Sequence, residues 1–207
     1  MEENTVQNLQ EKIERYKQLL LDTGRDGIDK VINALEKLGF FKAPASAHRH
    51  LNYEGGLLIH SLNVYDMAMS LRGAVLQVRP EMEQKLSTES ITIAALLHDV
   101  CKSDIYVQKE KFRKDANDRW EKYIGYDVDY SRFPVGHGEK SVIMLLQLGL
   151  KLKKDGVLAI RWHMSAWELA QQSADAKGNI SAANGNFPLV SLIQSADQFA
   201  TFMLETE

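Results

Sequence analysis

The sequence predicts a mainly α protein that folds as a single domain and carries one small β-hairpin. Apolar residues recur with helical spacing over most of the chain. One stretch, 105–129, loses that spacing and gains aromatic and β-branched residues around the turn-like DAND. The 207 residues suffice for one well-packed core, and no repeat or linker divides them. We therefore expect one domain over 1–207, with N-terminal helices in 1–45 and a helical core in 50–205.

Seven segments carry the helical pattern. In the first two, the apolar residues lie on one face, and a glycine follows as a stop signal (Gly24 and Gly39). The stretch 173–188 is rich in Ser, Asn, Gly and Ala, and it is predicted to be a mobile loop. The predicted helices cover 6–24, 26–38, 56–71, 89–102, 138–150, 155–172 and 187–205.

Composition excludes several classes of protein. Hydrophobic residues make up 44% and charged residues 26%, as in folded globular proteins. The net charge of −3 provides no attraction to long duplex nucleic acid or to anionic lipid, so an anionic substrate needs a local site. No apolar run approaches the ~20 residues of a membrane span. The lone Cys101 cannot form an intramolecular disulfide, and we expect a cytoplasmic protein with no membrane partner.

Several ionisable residues lie on faces that their helices should bury. His60, for example, shares a face with Leu57, Val64 and Leu71. Burying an unpaired carboxylate in such a place costs several kcal/mol if the group is truly desolvated. This is about the cost of moving a polar group without a hydrogen-bond partner into an apolar medium. The predicted inward residues are His60, His98, Asp99, His163 and Asp197, with His137 at the start of a helix.

A shared divalent cation explains this set better than separate hydrogen bonds do. A lone inward histidine is most often a hydrogen-bonded core residue, and this alternative stays open for His137 or His163 taken singly. The whole set needs many partners, however, and one or two cations satisfy all its members at once. Imidazole and carboxylate ligands suit Mn, Fe, Ni, Co or Zn, with Mg also possible, and the two oxygens of Asp99 can bridge two ions. Lys102 then lies beside the metal, where its charge suits a phosphate.

The order of these residues resembles the HD superfamily of metal-dependent phosphohydrolases, with an early His, an adjacent His-Asp pair and a late Asp. The likeness extends to NYEGGLLIHSLNV, AALLHDVCK and SLIQSADQFAT, which together span 52–201. It implies an HD-type helical bundle. It also implies one metal held by His60, His98, Asp99 and Asp197, and a second held by Asp99, His137 and His163. Cys101 stands where relatives often have Gly or Ala, and we expect this small side chain to leave the site undisturbed.

The resemblance implies hydrolysis of a phosphate ester of a nucleotide or related small compound by a metal-activated hydroxide. Asp99 and Lys102 are the expected catalytic residues, and Lys102 would neutralise phosphoryl charge. The alternatives are a regulatory nucleotide-binding module without turnover, and an exonuclease or phosphodiesterase acting on short RNA or DNA. YEGGLLIHS and VGHGEKS look most like the branch that contains bacterial 3′–5′ exoribonucleases. The sequence does not predict the oligomeric state.

Other polar residues have two interpretations each. The hairpin cations Lys111, Arg113 and Arg119 either close over the substrate or only face solvent. The loop residues His48, Arg49 and His50 either contact substrate or have no role, and the second is favoured. Trp162, beside Arg161, either stacks on a base or, as we expect, belongs to the core.

Overall fold

The computed structural model describes residues 2–165 and 174–206. Within these ranges the fold is mainly α and has one two-stranded sheet, as the sequence predicts. The helices are α1 (Glu2–Asp22), α2 (Ile28–Leu38), α3 (Gly56–Val78), α4 (Thr88–Leu97), α5 (His137–Gln147), α6 (Lys154–Trp162), α7 (Ala174–Asn186) and α8 (Pro188–Phe199). The strands are β1 (Tyr106–Lys114) and β2 (Trp120–Val128).

Helix α4 lies at the centre of the core. Every residue from Ser90 to Leu97 is buried, so this helix is covered on all sides. Helix α3 packs against α4 and α8, and α6 packs against α4, α5 and α8. Each fully buried Leu or Ile of α4 contributes about 1.5–3 kcal/mol relative to an exposed side chain. The end of α4 is therefore held rigidly in the middle of the protein.

The hairpin forms where the sequence predicts it. Strands β1 and β2 pair antiparallel from Tyr106 opposite Val128 to Lys114 opposite Trp120. The turn between them is fixed by Asp115, whose Oδ1 accepts hydrogen bonds from the backbone N–H groups of Asn117 and Arg119.

Several helices end at other residues than the sequence pattern indicates: α3 runs on to Val78 instead of residue 71, and α5 ends at Gln147 instead of residue 150. Helix α4 ends at Leu97, not at residue 102, and a 3-10 turn follows at Val100–Ser103. The carbonyl oxygens of its last turn accept hydrogen bonds from side chains, with Tyr16 Oη 2.7 Å from Leu96 O and His98 Nδ1 2.8 Å from Ala95 O. Helix α6 ends at Trp162, and residues 166–172 of that predicted helix lie outside the described residues.

The predicted loop over 173–188 is wrong for most of its length. Residues Ala174–Asn186 form helix α7, while Ser173 lies outside the described residues. Four alanines in this segment favour a helix, and buried Ala183 packs in one cluster with Trp162 and Val190. The segment is helical although it contains two glycines, each of which costs about 1 kcal/mol relative to alanine in a helix.

The last predicted helix has two parts. Helix α8 begins at Pro188, whose fixed φ suits a first helical position. After Phe199 the chain continues as a π-helical turn at Ala200–Leu204. Because of this π turn, the side chains after α8 point in other directions than they would on a regular α-helix.

Among residues 2–165 and 174–206, no helix is both long enough and apolar enough to span a bilayer.

Candidate metal centre

The ends and inner faces of five helices bring the six predicted ligands together. His60 lies in the second turn of α3, and Asp197 lies in α8. His137 is the first residue of α5. The other three follow helix ends directly: His98 and Asp99 after α4, and His163 after α6. His60, His98, Asp99 and His163 are at most 1% exposed, so they form a site inside the protein and not on its surface.

One group of ligand atoms surrounds the Oδ2 atom of Asp99. This oxygen lies 3.5 Å from His60 Nε2 and 3.2 Å from His98 Nε2. The two imidazole nitrogens are 3.2 Å apart. Asp197 Oδ1 lies 3.3 Å from His60 Nε2 and completes a group of two nitrogens and two oxygens.

A second group surrounds the other oxygen of the same carboxylate. Asp99 Oδ1 lies 2.5 Å from His137 Nε2 and 3.3 Å from His163 Nε2. Asp99 thus directs one oxygen to each group, as a carboxylate that bridges two cations would.

The spacing of these atoms suits divalent cations. Bonds of about 2.1 Å to a tetrahedral or octahedral ion place neighbouring ligand atoms roughly 3.0–3.4 Å apart. Most separations in both groups are 3.2–3.5 Å. Sets of ligand atoms close enough to hold an ion include His60, His98 and Asp99, and also Asp99, His137 and His163. A further set, His98, His163 and Asp197, draws on both groups, so the two groups adjoin each other.

The protonation pattern of the histidines also points to cations. His98 Nδ1 lies 2.8 Å from Ala95 O, and His163 Nδ1 lies 2.7 Å from Ile160 O. A carbonyl oxygen only accepts hydrogen bonds, so both Nδ1 atoms carry a proton, and the nitrogen whose lone pair can bind a cation is Nε2, which faces the site. His163 Nε2 is buried and makes no hydrogen bond within the described part of the chain. A cation satisfies these lone pairs.

The charges around His60 favour a positive ion. Burial alone would lower the pKa of His60, but three neighbouring carboxylates raise it well above its ordinary value. These carboxylates belong to Asp197, Asp99 and Glu205. Against their three negative charges stands the ammonium of Lys102, 2.6 Å from Asp99 Oδ2. Burial would also lower the pKa of His137, but Cys101 and Asp99 raise it well above its ordinary value. Protons on these two imidazoles thus provide positive charge that a bound cation would otherwise supply.

The position of His137 depends on the close packing of α5. A Cβ atom at Gly138 would lie 2.2 Å from the carbonyl oxygen of Arg161, so only glycine allows this approach to the end of α6. Ser141 Oγ accepts a hydrogen bond from the backbone N–H of Cys101 at 3.3 Å, and buried Lys140 pairs with Asp104 at 2.7 Å. These contacts fix α5 against the segment that carries Asp99.

A cavity of about 490 Å³ opens onto the candidate ligands, a volume within the range of small-molecule sites. The ligands His60, Asp99, His163 and Asp197 line one part of it. Three residues with basic side chains (Arg49, His50 and Lys102) and five residues with uncharged side chains (Met164, Gln198, Thr201, Phe202 and Thr206) form the remaining lining.

Lys102 lies between this cavity and a second one. The second cavity, of about 350 Å³, extends from Lys102 toward the hairpin residues Tyr106, Gln108 and Tyr126. Burial opposes the charge of Lys102, but Asp99 outweighs it and raises the Lys102 pKa above its ordinary value. The side chain thus keeps its charge beside the candidate ligands.

The other residues that the sequence offers as possible substrate contacts fall into two sets, those that line the cavity and those that do not. Arg49 and His50 line the cavity, whereas the hairpin cations Lys111, Arg113 and Arg119 do not. Lys111 donates to Tyr126 O at 2.5 Å, and Arg113 pairs with Glu121 at 2.5 Å. Trp162 is 8% exposed and belongs to the core, as expected.

Sequence reasoning missed two residues that contact the histidines. Glu205 lies 3.0 Å from His60 Nδ1, and Cys101 Sγ lies 3.3 Å from His137 Nδ1. Cys101 therefore does more than fill space. Its sulfur contacts Nδ1 of His137, whereas backbone carbonyl oxygens contact Nδ1 of His98 and of His163. In the sequence, the signal for a role of Cys101 is its position two residues after Asp99. Glu205 carries no such signal, because it lies in the polar stretch ETE.

The helical bundle and its internal histidine–aspartate centre define a class of metal-binding domain, and comparison with known families identifies it. The HD domain matches residues 57–201, well over half of the chain, and the protein belongs to this family. HD domains bind divalent metals, and the clusters described above could hold them.

One relative carries a description of its activity. The chain is 35% identical over 69 residues to the dihydroneopterin 2′,3′-cyclic phosphate phosphodiesterase of Methanocaldococcus jannaschii. The match covers 33% of this chain and 26% of that relative, so it spans about a quarter of the relative's length. No solved structure matches the chain.

Proposed function

We propose that the protein is a metal-dependent phosphohydrolase that cleaves a phosphate ester of a small nucleotide-like compound. The observation that carries the proposal is the arrangement around Asp99, whose two oxygens face two separate groups of imidazole nitrogens. His60, His98, Asp99 and Asp197 would hold one cation, and Asp99, His137 and His163 a second. Membership of the HD family supports this chemistry in general terms.

The residues of the site have separate roles in the proposed reaction. The two groups of ligands would hold cations, and these would supply Lewis acidity and lower the pKa of water. Lys102 binds phosphoryl oxygen and offsets the negative charge that develops there. Its contact with Asp99 Oδ2 at 2.6 Å holds the ammonium in place before substrate arrives. The buried helix ends keep His98 and His163 from rotating, because each Nδ1 is tied to a backbone carbonyl.

The cavity suggests the size and chemistry of the substrate. A volume of about 490 Å³ suits a single nucleotide-sized molecule, not a long polymer. The phosphate would be bound by the basic side chains of Lys102 and Arg49, which both line the cavity. A heteroaromatic ring would lie against Phe202, which lines the cavity and is 63% exposed. The side-chain amide of Gln198 would hydrogen-bond the edge of that ring.

A cyclic phosphodiester is the second candidate within this class. The name of the relative from Methanocaldococcus jannaschii describes action on a 2′,3′-cyclic phosphate. A cyclic diester is as compact as a monoester, so the same cavity accommodates both.

A substrate panel tests the proposed activity. Protein purified without chelators and supplied with Mn²⁺, Ni²⁺ or Mg²⁺ would be assayed with nucleoside monophosphates, 2′,3′-cyclic nucleotides and a short RNA. We expect metal-dependent hydrolysis of a small ester, and its loss to background in Asp99→Ala. Asp66→Ala, which alters an exposed aspartate paired with Arg15, is the matched control and should keep full activity. Tight nucleotide binding without turnover under every metal condition would instead favour a regulatory module.

A further inference from the structure

The two ring nitrogens of His60 face different environments. Nε2 points toward the candidate ligands, 3.2 Å from His98 Nε2 and 3.3 Å from Asp197 Oδ1. Nδ1 points the opposite way, 3.1 Å and 3.0 Å from the two oxygens of Glu205. His60 therefore connects Glu205 to the candidate metal centre.

Glu205 is fixed in this position. Its side chain is fully buried, and it accepts a hydrogen bond from Asn63 Nδ2 at 3.0 Å in addition to that from His60. Asn63 lies three residues after His60 on α3, so one helix supplies both donors. A buried carboxylate with two donors has little freedom to turn elsewhere.

The π turn after α8 explains how Glu205 reaches His60. Residues eight apart on a straight α-helix point about 80° apart, because each residue turns the helix by about 100°. Glu205 follows Asp197 by eight residues, yet both carboxylates contact the ring of His60 from opposite sides. The π-helical turn Ala200–Leu204 between them changes this angle, and such turns often occur at functional sites.

His60 needs this carboxylate because it lies inside a helix. His98 and His163 follow the last residues of α4 and α6, where nearby carbonyl oxygens have no partner within the helix. The carbonyls next to His60 are already bonded within α3, and Leu57 O also accepts a bond from Ser61 Oγ at 2.9 Å. An acceptor for His60 Nδ1 must therefore come from another part of the chain.

We propose that Glu205 is a positioning residue that holds the proton of His60 on Nδ1 and thereby raises the affinity of the centre for its cation. This inference rests on the proposed function. A carboxylate acceptor also makes the imidazole a stronger ligand than a carbonyl acceptor does. Removal of such a partner typically weakens metal binding by about 10–100-fold.

His50, His60 and Glu205 also lie close enough together to hold an ion themselves. That alternative uses His60 Nδ1 as a ligand. A neutral imidazole carries a proton on one nitrogen, so His60 cannot lend both nitrogens to cations at once. The count of bound ions distinguishes the two arrangements.

The test is the affinity of chelator-treated protein for Zn²⁺, measured by competition with a chromogenic chelator. We expect Glu205→Gln, which keeps an acceptor for Nδ1 but removes its negative charge, to bind the ion held through His60 about tenfold more weakly than the wild type, the lower end of what loss of such a partner costs. The melting temperature without metal should change much less. NMR spectra of the zinc-loaded wild type that connect ring nitrogens to carbon-bound protons should show His60 protonated at Nδ1. Glu83→Gln, at an exposed glutamate, is the matched control and should bind like the wild type.

Each result supports or overturns the inference. Unchanged affinity in Glu205→Gln overturns it while leaving the proposed function intact. Three zinc ions in the wild type and two in the variant would make Glu205 a ligand, which also overturns it. Should Glu205→Gln fail to fold, Asn63→Ala decides, because loss of the amide that holds Glu205 should weaken binding several-fold. A wild type that binds no Zn²⁺ contradicts the proposed function as well.

Discussion

Asp99 carries more of the proposed chemistry than any other residue of the site. Its oxygens face two pairs of histidines, and Lys102 pairs with the oxygen nearer to His60 and His98. Burial would raise the pKa of this carboxyl, but Lys102 and the neighbouring imidazoles of His98 and His137 lower it well below its usual value. Asp99 is therefore ionised and able to bind cations.

Phe202 provides a test of the proposed substrate class at the scale of one residue. Phe202→Ala removes the ring surface of the cavity, and base stacking is worth about 1–3 kcal/mol. We expect KM for a nucleotide substrate to rise about tenfold, with a small effect on kcat. The measurement is steady-state kinetics with a nucleotide and with ribose 5-phosphate, which has no aromatic ring.

The control for this change is Met203→Ala. Met203 is 69% exposed but is absent from the cavity lining, so its removal should leave both substrates unaffected. An equal rise in KM for the nucleotide and for ribose 5-phosphate would contradict stacking on Phe202.

The sequence predicts the metal-site residues better than their partners. His60 and Asp197 are recognisable because each breaks an apolar helical face. The role of Glu205 is not visible in the sequence, because it depends on the π turn that aims its side chain at α3. Which histidine nitrogen faces the centre likewise depends on contacts such as that of His98 Nδ1 with Ala95 O.

At the scale of elements, α4 and α6 use the same local construction. Each helix ends one residue before a histidine, and that histidine turns Nδ1 back to a carbonyl three residues earlier. The negative end of each helix dipole then lies near the candidate cations, which is a favourable arrangement. The sequence could not predict where α4 ends, because the bond from Tyr16 to Leu96 O joins residues 80 positions apart.

Gly138 tests the role of the α5–α6 contact. Gly138→Ala places a methyl group against the backbone of Arg161, where the ideal separation from its oxygen is only 2.2 Å. Overpacking of this kind costs about 1–3 kcal/mol, and α5 must move together with His137. We expect a lower free energy of unfolding and weaker binding of the second cation, as measured by urea denaturation and metal titration.

Gly73→Ala in α3 is the matched control for this change. A Cβ at Gly73 meets no atom within 4 Å, so alanine should stabilise the helix by up to about 1 kcal/mol and leave metal binding unchanged. Full binding of both cations by Gly138→Ala would show that the close contact does not position His137.

The whole molecule brings distant parts of the chain to one buried centre. The proposed ligands run from His60 to Asp197 and come from or adjoin α3, α4, α5, α6 and α8. The core that supports them includes buried residues from Tyr16 in α1 to Ala200 after α8. The mainly α class and the hairpin follow from sequence periodicity. Helix α7 does not, because its stability depends on the contact of Ala183 with Trp162 and Val190.

The central claim is that Asp99 joins two cation sites, and the number of metal ions per chain tests it most directly. Metal-free protein would be reconstituted with Mn²⁺ or Zn²⁺, freed of excess ion, and analysed by inductively coupled plasma mass spectrometry alongside Asp99→Ala. We expect two ions per chain in the wild type and less than one in the variant, because both sites lose a ligand. One ion or fewer per wild-type chain, or two ions in Asp99→Ala, would contradict the account.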